Sequence, residues 1–210
     1  MGQVMGEMPT TMPGLKEERD RVLHWSGEIL AKVSDNVHSE DTFLMDYTDE
    51  KLNQKVKSWI DKGSVLVNAA LIKIPNITQE CKTSTLDKID KLKEEFSSKI
   101  RKEYESAYSE IKKFTKKVDK FGQEQRKLHE AIQQVEKEAA GDVAKFQKKF
   151  GPLRVKVFKN LETGEKFVFE DKRLKDTFTK KVYEIDSKLM NECSKRFEKI
   201  VKEVEKCIVK

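Results

Sequence analysis

Residues 86–139, LDKIDKLKEEFSSKIRKEYESAYSEIKKFTKKVDKFGQEQRKLHEAIQQVEKEA, decide the fold. Apolar side chains recur at Leu86, Ile89, Phe96, Ile100, Tyr104, Ala107, Ile111, Phe114, Val118, Phe121, Leu128, Ile132, Val135 and Ala139. From Tyr104 onward the steps alternate three and four, with Gln125 the single polar position in the row. Side chains so spaced line one face of a helix and form a seam that must be buried. From Phe96 to Ala107 the steps are four, four and three, a stutter that locally unwinds a supercoil. With Ser84 or Thr85 as cap, the pattern predicts a helix over about 84–149, roughly 65 residues and ~100 Å at about 1.5 Å per residue. Gly122 lies one residue off the seam and costs about 1 kcal/mol of helix propensity, which allows a bend there.

Upstream, residues 1–14 read as a flexible tail. A helix over about 15–37 follows, with Val22, Trp25, Ile29, Leu30, Val33 and Val37 on one stripe. After the polar stretch SEDTFLMDY, Thr48 is a good N-cap for a helix over about 49–74. Its stripe is Leu52, Val56, Trp59, Ile60, Val67, Ala70, Leu71 and Ile74, and Pro75 ends it.

Downstream the period changes from seven to two. LRVKVFK at 153–159 and EKFVFE at 165–170 flank Asn160-Leu-Glu-Thr-Gly164, which predicts a β-hairpin over about 153–170. In the favoured register Leu153, Val155, Val157, Phe167 and Phe169 share one face, while Arg154, Lys156 and Lys166 share the other with Phe158. The last helix is expected over about 172–209, with Leu174, Phe178, Val182, Ile185, Leu189, Cys193, Phe197, Ile200, Val204 and Cys207 inward.

The fold expected is mainly α: one elongated antiparallel bundle or coiled coil over 15–210, of four helices, one very long, with a small hairpin at the tip. Because the last helix would cover barely half of the third, Cys81 and Cys207 are expected far apart and unbridged. With three cysteines, no CxxC and no nearby histidine, neither a zinc site nor a disulfide framework is encoded. That predicts a reducing, cytoplasmic setting, with secretion as the alternative; the Asn76-Ile77-Thr78 sequon matters only in the second case.

Only nine Gly and four Pro, with 38% charged residues, fit long helices. The longest apolar-rich stretch, GSVLVNAALIKI at 63–74, is too short to cross a bilayer and contains Lys73. His24, His38 and His129 lie in three separate segments, and no HExxH, P-loop, GxGxxG or GxSxG is present. No catalytic residue, metal or cofactor is therefore expected, and the chain is read as no enzyme.

The positive signal is charge segregation. Between Lys145 and Lys181 stand twelve basic and five acidic residues, so this segment carries all of the chain's net +6. The candidate binding residues are Lys145, Lys148, Lys149, Arg154, Lys156, Phe158, Lys159, Lys166, Lys172 and Arg173, where an aromatic ring among cations suits a headgroup interface. The function expected is a non-enzymatic interaction or scaffold module. It would bind a protein partner or homodimerise through the seam, and touch an anionic membrane surface with its basic tip. The alternative is a secreted helical toxin or host-interaction protein with a hairpin tongue. Nucleic acid is a weaker fit, since no recognition motif accompanies the basic segment.

Overall fold

The computed structural model describes residues 5–37 and 47–207. Among the described residues there are four helices, α1 (Met12–Asn36), α2 (Asp49–Ile72), α3 (Gln79–Ala139) and α4 (Val143–Lys206), and no strand. The chain divides into two compact units that share the long helices, each built from three helical segments.

The first unit packs α1 against residues 111–139 of α3 and 143–175 of α4. The α1 start is set by Thr11, whose hydroxyl accepts the Gly14 N–H at 3.2 Å, and by Pro13 in the first turn, where a missing donor costs nothing. Leu15, Val22, Ile29 and Val33 are buried from α1; Phe114, Val118, Phe121, Leu128, Ile132 and Val135 from α3; Phe146, Phe150 and Val157 from α4. Between α3 and α4 the backbone turns left-handed at Ala140 (φ 50°) and Gly141 (φ 85°), and Asp142 caps α4 by accepting the Lys145 N–H at 3.1 Å. Gln125, fully buried, donates to Ser26 Oγ at 2.9 Å and accepts from Asn160 Nδ2 at 2.6 Å, tying the three segments together. That accounts for the one polar position in the α3 seam: its hydrogen-bonding groups are matched inside the bundle.

The second unit packs α2 against residues 79–110 of α3 and 176–206 of α4. Thr48 caps α2, as its sequence position predicts, accepting the Lys51 N–H at 3.4 Å. The cap of α3 is Thr78, which accepts the Cys81 N–H at 3.1 Å, so the helix starts ahead of Ser84 and Thr85. Leu52, Val56, Ile60 and Val67 meet Leu92, Phe96 and Ile100 of α3 and Leu189, Cys193, Phe197 and Ile200 of α4 in one core. The Gly63 backbone lies against the Phe197 ring so closely that no Cβ fits between them. A polar tie crosses this unit too: Lys55 Nζ donates to Tyr104 Oη at 2.9 Å and to Asp186 Oδ2 at 2.8 Å, while the Tyr104 hydroxyl donates to Asp186 Oδ1 at 2.6 Å.

Three expectations are corrected. The hairpin over 153–170 is instead part of α4. Its short alternating runs sit within a helical row of buried or half-buried positions: Phe146, Phe150, Arg154, Val157, Leu161, Gly164, Val168, Asp171, Leu174 and Phe178. Polar and glycine residues at seam positions hide that row from a hydrophobicity reading. Arg154 is admitted there by Glu18, and Gly164 faces Ile29 and Val33 of α1. Pro152 also looks like a helix breaker, yet it stands within the first ten residues of α4 on its exposed side.

The second correction concerns the break between the long helices, which falls at residues 140–142 rather than near Lys149, so there are two very long helices and not one. The third follows from it. In the second unit α4 runs antiparallel to α3, with Asp186 opposite Tyr104, Arg196 opposite Glu95 (2.9 Å) and Glu203 opposite Lys88. That register brings Cys207 to Cys81, and the two form a disulfide across 126 residues of sequence. The predicted end of the last helix, residues 208 and 209, lies outside the described residues, as do most of SEDTFLMDY and His38.

Candidate anionic-surface binding face

As a helix, residues 143–175 arrange their cations differently from a hairpin. Seven residues fall about 20° short of two full turns, so Lys145, Lys159, Lys166 and Arg173 line up along one side of α4. Lys149 and Lys156 border that row on one side and Lys148 lies within it. All of these side chains, and Lys172, are exposed.

Several are paired. Lys149 meets Glu138 at 2.8 Å, Lys166 meets Glu162 at 2.9 Å and Arg173 meets Glu170 at 3.0 Å. A hydrogen bond from Lys149 holds the Glu138 carboxyl below the usual range, and one from Lys166 does the same to Glu162. Lys145, Lys148, Lys156, Lys159 and Lys172 make no ion pair among the described residues. Their charge is therefore available to an external anion.

Two of the sequence-predicted residues lie elsewhere. Arg154, 3% exposed, is turned inward: it lies 3.6 Å from Glu18 and donates to the backbone carbonyls of Gly6 and Glu7. Gln147 donates to the Pro9 carbonyl at 2.8 Å, so residues 6–9 lie along the start of α4. Phe158 is half-buried, its ring edge-on to Trp25 with centroids 4.8 Å apart. The exposed aromatic of this face is Phe169 instead, 72% exposed. It follows Lys166 by three residues and precedes Lys172 and Arg173 by three and four, the spacings at which helical side chains are neighbours. The alternating pattern concealed it, because a strand puts Phe169 on the apolar face with Phe167. In the helix Phe167 turns toward Phe114 and Phe121, with ring centroids 5.8 and 5.1 Å away.

Chemically, this face offers fixed cations beside one exposed ring and an exposed Val155. Among the described residues no cluster of metal-ligating side chains exists, and no helix is long and apolar enough to cross a membrane. No protein family matches the chain, and neither a curated protein nor a solved structure is similar to it.

Proposed function

We propose that the chain is a non-enzymatic helical module that docks on an anionic membrane surface through the outer face of α4. The observation that carries this reading is that Lys145, Lys148, Lys156, Lys159 and Lys172, which make no ion pair among the described residues, are exposed along α4 together with Phe169, of which Lys172 is a direct neighbour. Each cation near an anionic bilayer contributes about 1 kcal/mol, so Lys145, Lys148, Lys156, Lys159 and Lys172 together give firm but salt-sensitive attachment. Phe169 and Val155 then enter the headgroup region, where an aromatic ring is well accommodated. The α3 seam is not offered as the partner surface, since α1, α2 and α4 already cover it. The toxin alternative loses its tongue with the hairpin. The Cys81–Cys207 disulfide favours an oxidising compartment, so the anionic lipid surface proposed is one exposed there, for which phosphatidylserine serves as the model lipid.

The test is co-sedimentation with phosphatidylserine-containing vesicles. Binding should fall steeply between low and high salt, and the triple variant Lys148→Gln, Lys156→Gln, Lys159→Gln should weaken it about 100-fold. Phe169→Ser should weaken binding at every salt concentration. Equal binding by the triple variant and the parent chain would rule the reading out.

A further inference from the structure

The second unit contains a small cavity that the membrane-docking face does not use. It holds about 100 Å³ and is lined by the rings of Tyr47, Tyr104, Tyr108 and Phe178, with Leu52 and the charged groups of Asp49, Arg101 and Glu105. The rings touch in sequence. Tyr104 meets Tyr47 with centroids 5.7 Å apart, Tyr47 meets Phe178 at 4.8 Å, and Phe178 meets Tyr108 at 6.3 Å. Tyr104 and Tyr108 are one turn apart on α3, so the chain of ring contacts begins and ends on the same side of that helix.

The charges around the cavity select the sign of an occupant. Arg101 is engaged by Asp49 at 3.5 Å and by Asn53 at 3.4 Å. Glu105 is exposed and makes no ion pair among the described residues, which leaves one carboxylate in excess. Lys55 is not a competitor for the Tyr104 face. It sits 2.9 Å from the hydroxyl and 5.4 Å from the ring centroid, which puts it at the phenol rim, where Asp186 also holds it. Aromatic walls present negative faces, and rings plus one spare carboxylate favour a cation too weakly hydrated to prefer water. The volume is well below the roughly 300–1,000 Å³ of a site for a drug-sized ligand, and suits a small head group.

We infer that the cavity lined by Tyr47, Tyr104, Tyr108 and Phe178 binds a methylated ammonium group, with Glu105 as its counter-ion. The group could arrive on a free small molecule or on a choline lipid, and the experiment separates these sources. Titration calorimetry with choline chloride and sedimentation with pure phosphatidylcholine vesicles are both run at high salt, where the lysine face of α4 is screened. Choline binding in solution assigns a free ligand, while vesicle binding without choline binding assigns the lipid head group. In either case Glu105→Gln should weaken binding about tenfold. The uncharged isostere 3,3-dimethylbutanol should bind about tenfold more weakly than choline. Tyr108→Leu should abolish binding; should it unfold the unit, Glu105→Gln, which changes only an exposed side chain, still decides. Absence of binding in both arms, equal affinity for the neutral isostere, or indifference to Glu105→Gln overturns the inference.

Discussion

The two units solve the same problem with different polar ties: a buried amide network in the first, a tyrosine held between a lysine and an aspartate in the second. Each must fix the register of three helical segments whose apolar seams alone tolerate sliding. In the first unit a neutral amide takes part, as Gln125 joins Ser26 to Asn160, beside the buried Arg154–Glu18 pair that joins α4 to α1. In the second an ionic tie does it, as Lys55 and Asp186 close on each other around the Tyr104 hydroxyl. A neutral tie is indifferent to salt and pH, whereas an ionic one responds to both. The second unit adds two further constraints absent from the first: the disulfide, and the close meeting of Gly63 with Phe197. Its stability therefore depends on redox conditions and on the single missing methyl at Gly63 in a way that the first unit's does not.

The largest break in this comparison should come from reduction. Opening Cys81–Cys207, or replacing both by Ser, should cost about 4–5 kcal/mol in the chain-entropy account of a loop this long. Hydrogen exchange read segment by segment should show the loss in α2 and the adjoining parts of α3 and α4, with α1 little changed. Glycine substitutions come next and should have opposite signs. Gly63→Ala forces a methyl group into the Phe197 ring and should lose about 3 kcal/mol. Gly164→Ala places its methyl 3.4 Å from Ile29, an ordinary contact, and should gain about 0.5–1 kcal/mol of helix propensity. Thermal melts of the two variants measure both.

Removing the ties separates their chemistry. Asp186→Ala should cost about 2 kcal/mol, moderated because Lys55 and Asp186 keep 36% and 27% of their side-chain surface in water. Gln125→Leu should cost about 1–2 kcal/mol. Raising salt should shrink the first loss and leave the second unchanged in denaturant titrations.

The smallest effect is in pH. Burial, then the Asp186 hydrogen bond, push the Tyr104 phenol above its ordinary 10.0, and burial pushes the Cys193 thiol from 9.0 up to about 11. Both groups hold their protons more tightly when folded. Their contribution is thus present below about pH 9 and is lost as the pH rises, so alkaline melting should begin in the second unit. Acid should not discriminate. In the first unit Glu136 is held down to about 2 by hydrogen bonds from Lys16 and Arg19, and in the second Arg196 lowers Glu95. These contributions are present above about pH 4.5 and are lost on acidification in both units.

Much of the helical architecture was legible in the sequence because the α3 seam is long and almost uninterrupted; Val22, Ile29, Val33, Leu52, Val56, Ile60 and Val67 also face inward as their spacing predicts. The reading failed where the seam carries residues whose partners are remote in sequence. Arg154 pairs with Glu18, Asn160 bonds Gln125, and Gly164 lies against the side of α1; none of these contacts is written locally. With those positions misread, VKVF and KFVF look like strands, and every error about the hairpin, the cysteines and Phe158 follows. The lysines of the candidate face were legible as charge, but their neighbour Phe169 was not, because its exposure depends on whether the period is two or 3.6.

The central claim is that residues 143–175 form one helix whose outer face meets anionic lipid. Backbone NMR of the isotope-labelled chain, titrated with phosphatidylserine-containing bicelles, tests both halves in one sample. The account predicts helical carbon shifts without interruption through 153–170, with lipid-induced changes concentrated on Lys145, Lys148, Lys156, Lys159, Phe169 and Lys172. Strand-like shifts at 155–158 and 166–169, or lipid-induced changes that bypass these side chains, would contradict it.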